Sequence, residues 1–221
     1  MTHLDEELYR LKSEIISMWN LVIHQLQKTQ VALISLDKDL AREVIANERR
    51  VNGMELKIDR DCENIIALFN PVAIDLRFVL AILKTNNNLE RTGDIANGIA
   101  KYITNLDVPL EENLLEVTQI HLMYKEAIDM LKDVLEAFEK EDAKLARKIF
   151  IRDEKLDTIN LKASKLVADF IRGNPDKIEQ GIYIISAIHK LERVGDQCKN
   201  IAEEIIFFIE AKVLKHTSGK K

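Results

Sequence analysis

The chain is short of the residues that most chemistries need. Of its 221 residues only 2 are cysteines, 5 are histidines and 5% are aromatic. Two cysteines cannot make a disulfide scaffold, and Cys62 and Cys198 fall in different halves, where reduced thiols are expected. Few histidines and cysteines also disfavour a structural zinc site. None of the histidines (His3, His24, His121, His189, His216) follows a glutamate by three residues, which counts against a di-iron oxygen-activating enzyme of the Glu-x-x-His type. His189 is expected to be a packed core residue. No glycine-rich loop suits a phosphate cradle, and no nucleophile stands with a base. No apolar run reaches the ~20 residues of a membrane span, and the start of the chain lacks a secretory signal's basic and apolar segments. Net charge is −5 with a pI near 5.7, and the short C-terminal tail is the only basic stretch, so no nucleic acid is expected as a partner. A cytoplasmic protein without membrane insertion is expected.

What is abundant is helix. Hydrophobic residues make up 47% and charged residues 31%, and apolar positions recur at helical spacing throughout. Leu4, Leu8, Leu11, Ile15, Met18 and Val22 begin a helix running to about Leu36. Asp37 and Asp39 can cap a second, with Val44, Val51, Ile58 and Ile65 as its stripe, ending near Phe69. Asn70-Pro71 reads as an N-cap and first helical residue of a third, ending near Asn105. After Asp107-Val108-Pro109 the order repeats. Helices are expected over Glu111–Lys140 and Asp142–Arg172. A sixth starts at Asn174-Pro175, and the tail from Lys215 to Lys221 is expected to be disordered. No segment alternates at period two. The sequence therefore predicts an all-α protein of two tandem three-helix units, residues 1–107 and 108–221, packed as successive antiparallel bundles.

One phrase occurs twice. Leu89-Glu90-Arg91-Thr92-Gly93-Asp94 returns as Leu191-Glu192-Arg193-Val194-Gly195-Asp196, at a constant offset of 102 residues. Each copy sets two acids four residues apart, one turn apart on one helix face. Leu76, Leu80 and Leu83 lead into Glu90, and Ile178, Ile182 and Ile185 into Glu192, so the acids are expected to face inward. Inward carboxylates need cations or hydrogen bonds. Glycine inside a helix costs about 1 kcal/mol against alanine; here it implies close backbone approach or room beside the acids. The second helix of each repeat adds Glu48, Asn52, Glu55 and Asp59, matched by Asp153, Asp157, Asn160 and Ser164. Converging carboxylate oxygens suit a hard cation such as magnesium, manganese or iron. The expected metal ligands are Glu48, Asn52, Glu55, Asp59, Glu90 and Asp94 at a first site, and Asp153, Asp157, Glu192 and Asp196 at a second that should bind at least as tightly. Two other readings stand beside this one. The acids could pair structurally with Arg91 and Arg193 in a helical adapter, or the chain could be a metal-carboxylate enzyme built in a helical bundle.

At these residues the chain resembles the PhoU family of phosphate-transport regulators. The resemblance rests on the doubled Leu-Glu-Arg-x-Gly-Asp phrase, on Asn70-Pro71-Val72-Ala73-Ile74-Asp75-Leu76-Arg77 before its first copy, and on Asp153-x-x-x-Asp157. Asn52 departs from the acidic pattern at the first site. The resemblance implies a cytoplasmic, non-enzymatic regulator, homodimeric, with metal held by these motifs. Its implied partners are the phosphate ABC transporter, through its ATPase subunit, and the membrane histidine kinase of the phosphate response. Its implied role is negative regulation of the phosphate-starvation response.

Overall fold

A computed structural model describes residues 2–214; the basic tail from Lys215 to Lys221 lies outside them. The described residues form seven α-helices and no strand: α1 (His3–Ser35), α2 (Lys38–Phe69), α3 (Ala73–Asn105), α4 (Glu112–Val117), α5 (Ile120–Glu139), α6 (Ala143–Gly173) and α7 (Ile178–Glu210). A single 3-10 turn, Pro175–Lys177, precedes α7. The all-α expectation holds. Caps set several starts. Thr2 and Asp5 form a reciprocal box at α1, with Thr2 N–H donating to Asp5 at 2.7 Å. Asp37 accepts from Leu40 N–H at 2.9 Å, and Asp142 from Lys144 N–H at 2.7 Å.

Three local expectations are corrected. The helix expected over Glu111–Lys140 is split into α4 and α5. Gln119 adopts a left-handed backbone, φ 56°, and the Thr118 hydroxyl donates to the Leu114 carbonyl at 2.7 Å. That side-chain bond competes with helix continuation, and neither glycine nor proline marks the break. Asn70 does not start a helix but ends α2 in the left-handed region, φ 45°, which asparagine tolerates. Pro71 then lies between helices, and α3 begins at Ala73. Pro109 also falls outside a helix start, since α4 begins at Glu112.

Each repeat packs three long helices together: α1, α2 and α3, then α5, α6 and α7. The two units are not merely successive. α3 packs on α7 and α1 on α5, so equivalent helices meet. Like packed on like is the pattern of a self-complementary two-fold interface, here built within one chain. The outer helices α2 and α6 flank a central layer of α1, α3, α5 and α7. Each central helix gives one ring to the seam: Trp19, Phe78, Phe138 and Phe208. Their centroids lie 5.6–6.2 Å apart along the chain of contacts. Trp19 Nε1 donates to the Leu131 carbonyl at 3.1 Å, which satisfies the one polar atom of that ring. Both cysteines are buried and free.

Candidate metal centre

The acids sit in two grooves, α2 against α3 and α6 against α7. On α2, Glu48, Asn52, Glu55 and Asp59 follow one another at steps of three and four residues, which puts them on one face. Glu90 and Asp94 meet them from α3. Asp94 lies close enough to both Glu48 and Glu90 to share a hydrogen bond with either when one of the pair is protonated. The Asn52 amide, with its nitrogen toward Glu48, donates to Glu48 Oε1 at 3.3 Å. Asn86 Nδ2 donates to Asp59 Oδ1 at 2.7 Å and to the Glu55 carbonyl at 2.9 Å. All six residues expected at the first site are therefore brought together. Burial, then the bond and charge of Asp94, push the Glu48 carboxyl up to about 7. Glu90 and Glu55 rise for the same reasons, burial first and neighbouring carboxylates next. Among the described residues, none of these five carboxylates makes an ion pair.

The second groove holds Asp153 and Asp157 from α6 and Glu192 and Asp196 from α7. Asp153 is 3% exposed, and its partner is a lysine. Lys199 Nζ bonds Asp153 and lies 2.8 Å from Asp196 Oδ1. Burial opposes the charge of Lys199, yet the two carboxylates hold its ammonium above the usual lysine range. Asp153 still rises, because burial outweighs the help from Lys199. Glu192 rises through burial and the charges of Asp196, Asp157 and Asp153, so all four acids are within electrostatic reach. At the offset of 102 residues, the first-repeat counterpart of Lys199 is Asn97. The two grooves thus share three acid positions, Glu48 with Asp153, Glu90 with Glu192 and Asp94 with Asp196, but not their cation. Sequence reasoning does not single out Lys199; its position three residues after Asp196 is the available signal.

The glycines explain themselves at the α6–α7 crossing. A Cβ on Gly195 would stand 2.4 Å from Asp153 Oδ1 and 2.7 Å from Leu156 Cδ1. Glycine here makes the room that admits a buried carboxylate. A Cβ on Gly93 would stand 3.0 Å from Val51 Cγ1, so this glycine makes room for an apolar side chain, not an acid. Gly195→Ala is expected to displace Asp153 and cost a net ~1–2 kcal/mol, overpacking outweighing the gain in helix propensity. Urea unfolding checks this; a variant as stable as the parent would show that Asp153 moves freely.

Three expectations about surroundings are corrected. The acids do not continue an interior stripe. Ile178 and Ile182, which lead into Glu192, are 50% and 54% exposed. The buried stripe of α7 runs through Gly181, Ile184, Ile188, Leu191, Gly195 and Cys198, one position behind the acids, so these border the core along a groove that solvent reaches. Arg91 and Arg193 form no ion pair with the acids among the described residues: both are exposed, and the charge of Arg91 only partly offsets the rise of Glu90. His189 is exposed as well.

The donors fit a hard cation. They are oxygens only, the first groove holds no ion pair, and in the second Asp153 Oδ1 is buried without a hydrogen-bond partner. As the side chains stand, no three acid, histidine or cysteine groups among the described residues converge tightly enough to hold an ion, so binding would draw the carboxylates inward.

This architecture defines a class: all-α proteins made of two fused three-helix repeats, each with an acidic groove between its second and third helices. The PhoU domain family model matches residues 15–103 and 120–205. The phosphate-specific transport system accessory protein PhoU of Escherichia coli (strain K12) is 32% identical over 213 residues, 96% of this chain and 88% of that protein. The homologue from Streptococcus pneumoniae (strain ATCC BAA-255 / R6) is 33% identical over 205 residues, 92% of this chain and 93% of that one. The crystal structure of PhoU from Pseudomonas aeruginosa superposes with a TM-score of 0.89 at 30% identity, covering 95% of this chain and all of that one. The chain belongs to the PhoU family.

Proposed function

We propose that the protein is a regulatory accessory component of phosphate uptake that acts by binding and has no turnover of its own. In this reading it works as a homodimer at the cytoplasmic face of the membrane. There it docks on a phosphate ABC transporter, through the ATPase subunit, and on the membrane histidine kinase of the phosphate response, and it restrains the phosphate-starvation response. Family membership and the names of its relatives as phosphate-specific transport accessory proteins support this role. No described helix is long and apolar enough to cross a membrane.

The observation that carries the metal-dependent part is the first groove. Five carboxylates crowd there without an ion pair, the charge of Arg91 offsetting only part of the repulsion at Glu90, and Glu48 and Asp94 lie within hydrogen-bond reach of each other. Magnesium, manganese or iron, held by Glu48, Glu55, Asp59, Glu90 and Asp94 with the Asn52 amide, would neutralise this charge. The groove would then lock α2 onto α3 and fix the outer face of the bundle. In the second groove Lys199 already does part of that work, so an ion at Asp153, Asp157, Glu192 and Asp196 must displace it. The first groove is therefore the stronger candidate, the reverse of the order expected from sequence.

Glu48→Gln/Asp94→Asn keeps size and removes two charges. Elemental analysis is expected to find less metal, and added manganese should raise the melting temperature less than in the parent, since an ion bound only to the native state stabilises it more the further its concentration exceeds its Kd. In cells a phosphate-starvation reporter should be derepressed at equal protein level. Normal repression by a folded, metal-depleted variant would separate metal from signalling.

A further inference from the structure

The repeated phrase carries an arginine beside its acids, and the fold sends the two to different places. The acids line the outer grooves. Arg91 and Arg193 instead line a cleft of about 320 Å³ on the α3–α7 seam, where the two copies of the phrase come together. Lys101 from α3 and Lys190 from α7 line the same cleft. Four cations thus gather in a chain of net charge −5, with Asp94 the one carboxylate on the wall. None of the four forms an ion pair among the described residues. The Lys190 ammonium lies 5.7 Å from the centroid of the Tyr102 ring. It enters because position 98 is glycine: a Cβ there would stand 2.7 Å from Lys190 Nζ. Four cations beside one carboxylate still repel one another on balance, and an anion between them turns repulsion into attraction.

A second observation points to the kind of anion. Asn97 is 8% exposed, lines the cleft, and has an amide oxygen without a hydrogen-bond partner. That oxygen accepts and cannot donate. A ligand that satisfies both it and the cations must carry negative charge and a hydrogen-bond donor at once.

We propose that this cleft binds a phosphate group, either free inorganic phosphate or the phosphoryl group of a small nucleotide. Paired guanidinium groups match phosphate oxygens in a fork geometry, and lysines add point charge. Inorganic hydrogen phosphate keeps an O–H near neutral pH, and a nucleotide monophosphate, whose phosphoryl group is largely doubly ionised there, supplies its ribose hydroxyls instead; Asn97 Oδ1 or Asp94 accepts from either. Sulfate is fully deprotonated there and has no such hydrogen to give, so it leaves both acceptors facing its oxygens. The cleft therefore selects phosphate over sulfate as well as attracting anions. A bound phosphate would bridge α3 and α7 and tie the two repeats at their seam. The assignment goes beyond the regulatory role proposed above and does not depend on metal in the acidic grooves.

Isothermal titration calorimetry on the full chain, in phosphate-free buffer containing a chelator, tests it apart from the metal reading. Inorganic phosphate and adenosine 5′-monophosphate are the two ligands, and binding of either at one per chain supports the site and assigns its source. Lys190→Ala/Arg193→Ala is expected to weaken that binding at least about tenfold, the scale of one charge-assisted contact. Lys162→Ala/Lys165→Ala removes the same charge from an exposed stretch of α6 and should leave binding unchanged. Sulfate at equal ionic strength should bind at least about tenfold more weakly than phosphate, and Asn97→Ala should narrow that gap. Circular dichroism confirms that each variant is folded. No binding of either phosphate ligand, equal losses in the two double variants, or equal affinity for sulfate and phosphate would overturn the proposal.

Discussion

Phe138→Ala is expected to lower the free energy of unfolding by about 3–5 kcal/mol, the usual cost of deleting a buried aromatic ring. Phe138 is 1% exposed and is the ring on which the seam converges. It lies 5.7 Å from Trp19, 6.2 Å from Phe78 and 6.2 Å from Phe208, centroid to centroid. Those rings come from the three other central helices, so the cavity would open where the repeats join and not within one of them. Urea unfolding followed by circular dichroism reads the loss. Tyr9→Ala, which truncates a ring that is 69% exposed, should stay within about 0.5 kcal/mol of the parent. A loss below about 1 kcal/mol for Phe138→Ala would mean that the repeats are stable without their seam. A split of the transition into two would show that the seam is what makes them unfold together.

Lys199→Met is expected to destabilise the metal-free protein by about 2–3 kcal/mol. Removing one partner of a buried ion pair typically costs 3–5 kcal/mol, because the other charge is left uncompensated. The lower figure follows from geometry: Asp153 is buried, but the Lys199 side chain is 29% and the Asp196 side chain 46% exposed, so water screens part of the loss. Methionine keeps most of the packing of the lysine stem. The same substitution leaves four acids in the second groove without a cation, as in the first. Added manganese should therefore stabilise Lys199→Met more than it stabilises the parent, and elemental analysis should find more metal bound. Denaturant titrations with chelator and with manganese give both numbers. If manganese stabilised variant and parent equally, Lys199 would not be what keeps a metal ion out of the second groove.

Much of the acidic site is legible in the order of residues alone. Glu48, Glu55 and Asp59 share one face of α2, and Glu90 and Asp94 one face of α3, because acid spacing along a helix is a local property: steps of three and four residues force one face whatever the helix packs on. The repeat itself, the caps at Asp37 and Asp142, and the absence of strands among the described residues are local in the same sense. The break at Gln119 is not legible. It depends on one backbone angle and one threonine hydroxyl, in a stretch whose hydrophobic spacing is uninterrupted.

Tertiary structure decided the rest. Spacing gives two adjacent registers for an apolar stripe, and only packing shows that Leu89 and Leu191 face the core while Glu90 and Glu192 lie one position outside it. The pairing of α1 with α5 and α3 with α7 cannot be read from a repeat, because two identical units can stack in sequence or meet face to face. That choice sends Arg91 and Arg193 to a shared cleft instead of to the acids. Packing of α6 on α7 within the second repeat likewise makes Lys199 the cation of that groove, where the first repeat has Asn97. The sequence determined which groups the protein owns and on which helix face each lies. Which groups meet depends on contacts between residues far apart in the chain, and those are settled by how whole helices bury their apolar faces.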